Sequence, residues 1–91
     1  MGDVTVKGTD RGPLEFDVEV AHGGGRTTHR VTVPADLPDQ FNGVAPQALV
    51  EESFTFLLER EPATSIMREF SLSVIPRYFP EYEREMKSRL G

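Results

Sequence analysis

Residues 14–33 alternate. Leu14, Phe16, Val18 and Val20 are separated by Glu15, Asp17 and Glu19, and after the run GGGR the pattern resumes as His29, Val31 and Val33 against Thr28, Arg30 and Thr32. Successive side chains of a strand point to opposite faces, so a period of two with one apolar face specifies a half-buried strand. Two such runs joined through Gly23–Arg26 specify a β-hairpin, because glycine takes the positive φ that tight reversals use. One face of that hairpin needs a cover, and the rest of the chain has to supply it.

Matching the faces narrows the register. Apolar positions are even-numbered in the first strand and odd-numbered in the second, so paired residue numbers sum to an odd value. A sum of 49 leaves a four-residue loop, Gly23–Arg26, and sets Phe16 across from Val33 and Glu19 across from Arg30. A sum of 47 sets Val18 across from His29 and Asp17 across from Arg30. Both put a cation opposite an acid on the wet face, a favourable cross-strand pair. Upstream, Val4 and Val6 alternate in DVTVKG, which predicts a shorter third strand reached through the turn TDRG.

The period changes after Pro34. ADLPDQFNGVA has the composition of a connector with one helical turn at residues 38–41. PQALVEESFTFLLER predicts the main helix: Pro46 suits a first helical position, and Val50, Phe54, Leu57 and Leu58 form a stripe widened by Leu49 and Phe56. Pro62 stops it at about Arg60. TSIMREF predicts a short helix capped by Thr64 or Ser65 and carrying Ile66, Met67 and Phe70. A further helix starts at Val74 with Ser73 as its cap, since a start at Ser71 would leave Pro76 breaking a backbone bond. Pro80 opens the last helix, EYEREMKSRL, with acids in its first turn, bases in its last, an attractive Glu83/Lys87 pair and a stripe of Tyr82, Met86 and Leu90. The chain thus reads as a single domain over residues 1–91, with a β-meander at 1–33, a connector at 34–45 and a helical part at 46–91. The fold class is α+β: a three-stranded antiparallel meander, one face covered by the main helix and two or three short C-terminal helices.

Composition excludes some functions and disfavours others. With no cysteine there is neither a disulfide framework nor a thiolate zinc site. Ten bases face fifteen acids, a net charge of −5, and neither half is basic: four against seven in residues 1–45, six against eight in 46–91. Nucleic-acid binding draws on Lys and Arg neutralising phosphates, so it is disfavoured. No run approaches the ~20 apolar residues that span a bilayer, and the N-terminus has no apolar signal core. Its Met1-Gly2 start is followed by Val6 where a myristoylation pattern wants Ser or Thr. A soluble, cytoplasmic domain with no membrane partner is expected.

Chemistry-bearing residues are few. His22 and His29 flank the hairpin loop, expected on opposite sides of the paired strands, and two histidines do not make a metal site of three or four converging ligands. HGGG at 22–25 matches the oxyanion-hole tetrapeptide of lipases, but no G-x-S-x-G elbow accompanies it, and no glycine cluster leads into Lys-Ser or Lys-Thr as a P-loop would. No carboxylate pair sits in apolar surroundings that would split its pKa values. No catalytic residue, cofactor or metal is assigned, and the chain is read as not an enzyme. SIMREFSLSVIPRYF approaches a DNA-reading helix-turn-helix, but Val74 follows Ser73 directly and Pro76 stands where an exposed reading residue belongs, so two packed short helices are expected instead.

LVEESFTFLLEREPATSI together with YFPEYE is similar to short bacterial proteins, a likeness over residues 46–83 that implies a bacterial origin and no particular activity. A meander followed by helices also resembles the layout of bacterial antitoxins. The residues themselves point to SVIPRYFPEYEREM. Ile75, Phe79 and Tyr82 share a side, with Ile75 and Phe79 in the core, while Tyr78 turns about 100° from Phe79, beside Arg77. Tyrosine and arginine are favoured in interfaces, so Arg77 and Tyr78 are the candidate partner surface. The function this implies is protein–protein interaction with another protein or a second copy. The alternatives are an antitoxin-like or DNA-associated regulator and an accessory subunit of an enzyme.

Overall fold

A computed structural model describes residues 3–90; the Met1-Gly2 reading lies outside them. The alternating runs form the antiparallel strands β1 (Asp3–Thr9), β2 (Gly12–His22) and β3 (Gly25–Thr32), in that order across the sheet. Of the two hairpin registers the second is adopted: Val18 faces His29 and Asp17 faces Arg30. His22 pairs with Gly25, so the loop is only Gly23 and Gly24, and neither takes a positive φ. Left-handed backbone occurs instead in the connector, at Asn42 (φ 62°) and Gly43 (φ 70°). There the Val44 N–H bonds the Phe41 carbonyl at 3.3 Å and reverses the chain after α1 (Leu37–Gln40).

The main helix, α2 (Pro46–Leu58), starts at Pro46 as expected and buries Leu49, Val50, Phe54, Phe56 and Leu57. Its end at Leu58 precedes the expected Arg60, although the Glu61 N–H still bonds the Leu57 carbonyl at 2.9 Å. The largest departure follows. TSIMREF is not a helix: a 3₁₀ turn at Ala63–Ser65 leads into a fourth strand, β4 (Glu69–Ser71), parallel to β3. The sheet therefore has four strands, not three. Ile66 and Phe70 are buried, and residues four apart share a side in a helix and in a strand alike, so helical spacing could not exclude an extended conformation. Long-range pairing decides, through the Arg30 N–H on the Arg68 carbonyl at 2.6 Å.

Ser71, not Ser73, caps what comes next. Its hydroxyl accepts from the Ser73 N–H at 3.3 Å over a 3₁₀ turn, Leu72–Val74, and α3 (Ile75–Tyr78) starts afresh with Pro76 in its first turn. That division lets Pro76 be helical without breaking a bond. At Phe79 the backbone leaves the helix (φ −131°, ψ 86°) and the chain turns into α4 (Tyr82–Leu90).

One face of the sheet carries the core, in which Val18, Val20 and Val31 meet Val50, Phe54 and Leu72. Tyr82 and Met86 bury the stripe of α4, and the Tyr82 hydroxyl is hydrogen-bonded to Ser53 Oγ of α2 at 2.7 Å. Phe56 is the second seam. Tyr82 and Phe79 meet it edge-on at 5.4 and 5.9 Å, and the Arg60 guanidinium lies 3.7 Å above its ring. Among the described residues the expected Glu83/Lys87 pair does not form; Arg60 bonds Glu81 at 2.9 Å and Arg89 bonds Glu59 at 2.6 Å. Hydrogen bonds from Arg89 and Arg60 respectively hold the Glu59 and Glu81 carboxyls below their ordinary range.

Burial pushes the Tyr82 hydroxyl from 10.0 up to about 12, against the lowering effect of the Ser53 bond. A pKa raised on folding gives stability that is full below the unfolded value and lost as pH rises through the folded one. Between pH 10.0 and about 12 the native chain should lose about 2–3 kcal/mol on this account. Tyr82→Phe should remove that alkaline step while costing about 1 kcal/mol at neutral pH, where Ser53 loses its partner. Denaturant midpoints of both chains across the range measure it, and equal alkaline losses in the two would refute the assignment.

Candidate protein-binding groove

Three elements leave a groove between them. The end of α2 and the turn after it give Leu57 and Glu61, the segment into β4 gives Ile66, Met67 and Phe70, and the turn with α3 gives Val74, Ile75, Tyr78 and Phe79. The hollow holds about 450 Å³ and its lining is mainly apolar. Four of these side chains are core residues seen from outside, such as Ile75 at 2% and Phe70 at 8% exposure, and Glu61, Val74 and Phe79 are half-buried. Two stand out: Met67 is 44% and Tyr78 67% exposed, and these are the large apolar side chains left in solvent among the described residues. Both border the same groove.

Tyr78 is exposed at the groove, and Arg77 beside it is exposed too, without lining it. Ile75 is core; Phe79 is only half-buried, because the backbone turns out of the helix there and leaves its ring as a wall of the groove. Met67, expected in a short helix with Ile66 and Phe70, is instead a surface residue. Its only signal was position, next to two charged residues and between two buried ones. Glu61 was missed as well. It is half-buried in the lining and forms no ion pair among the described residues; Arg77 has none either.

The groove floor hangs from the sheet. His29 is 3% exposed, its Nδ1 lies 2.8 Å from the Met67 carbonyl and its Nε2 2.9 Å from Thr27 Oγ1. A carbonyl can only accept, so Nδ1 carries the proton. Phe54 stacks between this imidazole, at 5.3 Å, and Phe70, at 6.0 Å. The expected placement of the histidines on opposite sides is corrected: the ladder gives both His22 and His29 the parity of the covered face. They stay apart along it, and among the described residues no three metal-ligating side chains converge.

Two other hollows differ in chemistry. The outer face of the sheet forms a polar depression lined by Lys7, Asp17, Glu19, Arg30, Arg68 and Glu69, with Arg30 paired to both Asp17 and Glu69. Beside His22, Val4, Leu58 and Pro62 line a third, where His22 Nε2 is buried without a hydrogen-bond partner. No protein-family model matches the chain, and no curated protein or solved structure matches it either.

Replacing His29 by leucine keeps the volume but strands the Met67 carbonyl. His29→Leu should therefore destabilise the domain by about 1–3 kcal/mol and speed amide exchange in residues 66–71 first. Unchanged exchange there would mean that β4 holds without its histidine.

Proposed function

We propose that the chain is a non-enzymatic protein-interaction module, and that its groove takes an apolar segment of another protein carrying a base for Glu61 and an acid for Arg77. The observation behind this is the convergence of Met67 and Tyr78, the exposed large apolar side chains, on one apolar hollow. An exposed apolar patch rimmed by polar groups is the usual mark of a protein contact, and tyrosine and arginine carry a large share of binding energy at such places. Glu61 in the lining and Arg77 beside it, unpaired among the described residues, give direction to the bound segment, since a reversed segment would set like charges together.

A DNA-associated role has less support. The cations of the outer sheet face alternate with Asp17, Glu19 and Glu69, so among the described residues this face presents no unbroken basic stripe for phosphates.

Peptides selected from a displayed library against the intact chain should share a large apolar residue with a nearby Lys or Arg. Tyr78→Ala and Met67→Ala should weaken their binding about tenfold each, Glu61→Gln and Arg77→Ala less, with melting temperatures unchanged. Selected peptides whose affinity ignores all four substitutions would place the binding surface elsewhere.

A further inference from the structure

β1 is an edge of the sheet. The ladder fixes which of its backbone groups are free. Val33 N–H bonds the Leu14 carbonyl at 2.8 Å, so even-numbered residues of β2 bond toward β3 and odd-numbered ones toward β1. In β1, Asp3, Thr5 and Lys7 lie opposite those odd residues and turn their backbone inward; Val4 and Val6 turn theirs out. The Val6 carbonyl shows this directly, since the Gln47 side-chain amide reaches it from α2, at 3.4 Å.

We propose that two copies of the chain associate about a twofold axis by antiparallel pairing of their β1 strands, Thr5 facing Thr5, Val4 facing Val6 and Asp3 facing Lys7. The backbone, the apolar face and the charges of the strand all fit this register. Pairing through Val4 and Val6 uses the backbone groups that point outward and forms four N–H···O=C bonds about the axis. Even residues then face even ones, which continues the apolar face of one sheet into the other. Neighbouring even-summed registers satisfy both conditions but set Asp3 against Thr5 or Thr9. In the proposed register an acid meets a base, and symmetry makes the pair twice.

The charges are available. Asp3 and Lys7 are exposed, and among the described residues neither forms an ion pair, whereas every base on the outer face of β2 and β3 does. A lysine on a strand edge ordinarily discourages pairing. Here the strand supplies the matching acid four residues earlier, so the guard holds against foreign strands and yields to its own copy. The Gln47 bond is long and gives way when Val6 accepts from Val4 of the second copy.

This surface lies at the opposite edge of the sheet from β4 and the groove, so it is independent of the function proposed above. Sedimentation equilibrium over micromolar to millimolar concentrations tests it. The wild-type chain should pass from monomer to dimer. Lys7→Glu, which sets acid against acid, should raise the dissociation constant about tenfold, and the swapped pair Asp3→Lys/Lys7→Glu should restore it to within about threefold. Both sites are solvent-exposed, so the variants should fold, and circular dichroism checks that they do. A chain that stays monomeric throughout overturns the proposal. So does a dimer indifferent to the single and swapped charges, or one that Tyr78→Ala dissociates while Lys7→Glu does not, which would mean that self-association runs through the groove.

Discussion

The contact between His29 Nδ1 and the Met67 carbonyl joins residues 38 apart and ties the helical half of the chain to the sheet. An imidazole buried among apolar side chains is costly unless both nitrogens are satisfied. Here Thr27 and Met67 satisfy them, and the second bond can form only if residues 66–68 run along β3. Once they do, the next residues are placed to pair, and β4 forms although it is only three residues long. The strand closes one edge of the sheet, Phe70 turns inward against Phe54, and Met67 is left outside. The groove is therefore a by-product of satisfying one polar group on the sheet's apolar face.

Parity made the hairpin legible. His29 shares the numbering of Val31 and Val33, which already placed it inward; what parity could not choose was the loop length, and both registers were consistent with it. The main helix was legible because Pro46 and a wide apolar face agree, and α4 because Tyr82 and Met86 repeat at helical spacing. Ile66 and Phe70 defeated the same reasoning. A spacing of four suits a helix, and the competing strand owes its existence to Arg30 and His29, more than thirty residues upstream. No local pattern carries that information. The candidate site was half legible for the same reason. Tyr78 and Arg77 could be read from one short helix, whereas Met67 and Glu61 belong to the groove only because β4 draws three separate segments together.

Phe56 shows how a helix can serve two layers. Val50 and Phe54 of α2 address the sheet, while Ser53 and Phe56 address α4, which is why its apolar face is wider than a single partner requires. Tyr82 and Phe79 contact the Phe56 ring edge-on, and Arg60 covers its face while holding Glu81 at the start of the last helix. Exposed ion pairs are worth little singly, but here the arginine also bonds the Phe56 carbonyl near the end of α2 and packs on the ring, so one side chain fixes three groups. Phe79 is held by the same ring and forms a wall of the groove. The docking of α4 and the shape of the groove thus share a residue, and loosening one disturbs the other.

The outer face of the sheet obeys a simpler rule. Arg11, Asp17, Arg30 and Glu69 form a chain of alternating charge from the first turn across β2 and β3 to β4, with N···O distances from 3.0 to 4.0 Å. Such exposed pairs add little stability each, yet they tie the charges of β2 to β4 largely to one another. The chain of pairs does not extend to β1. There, among the described residues, a base and an acid stand unpaired on the same face, and one side-chain amide, that of Gln47, touches the outward backbone groups beside them. A solvated sheet edge gains most from a partner that supplies hydrogen bonds and charge together. Antiparallel symmetry makes the same strand, reversed, such a partner, because reversal exchanges the positions of Asp3 and Lys7 while leaving Val4 and Val6 on the apolar side.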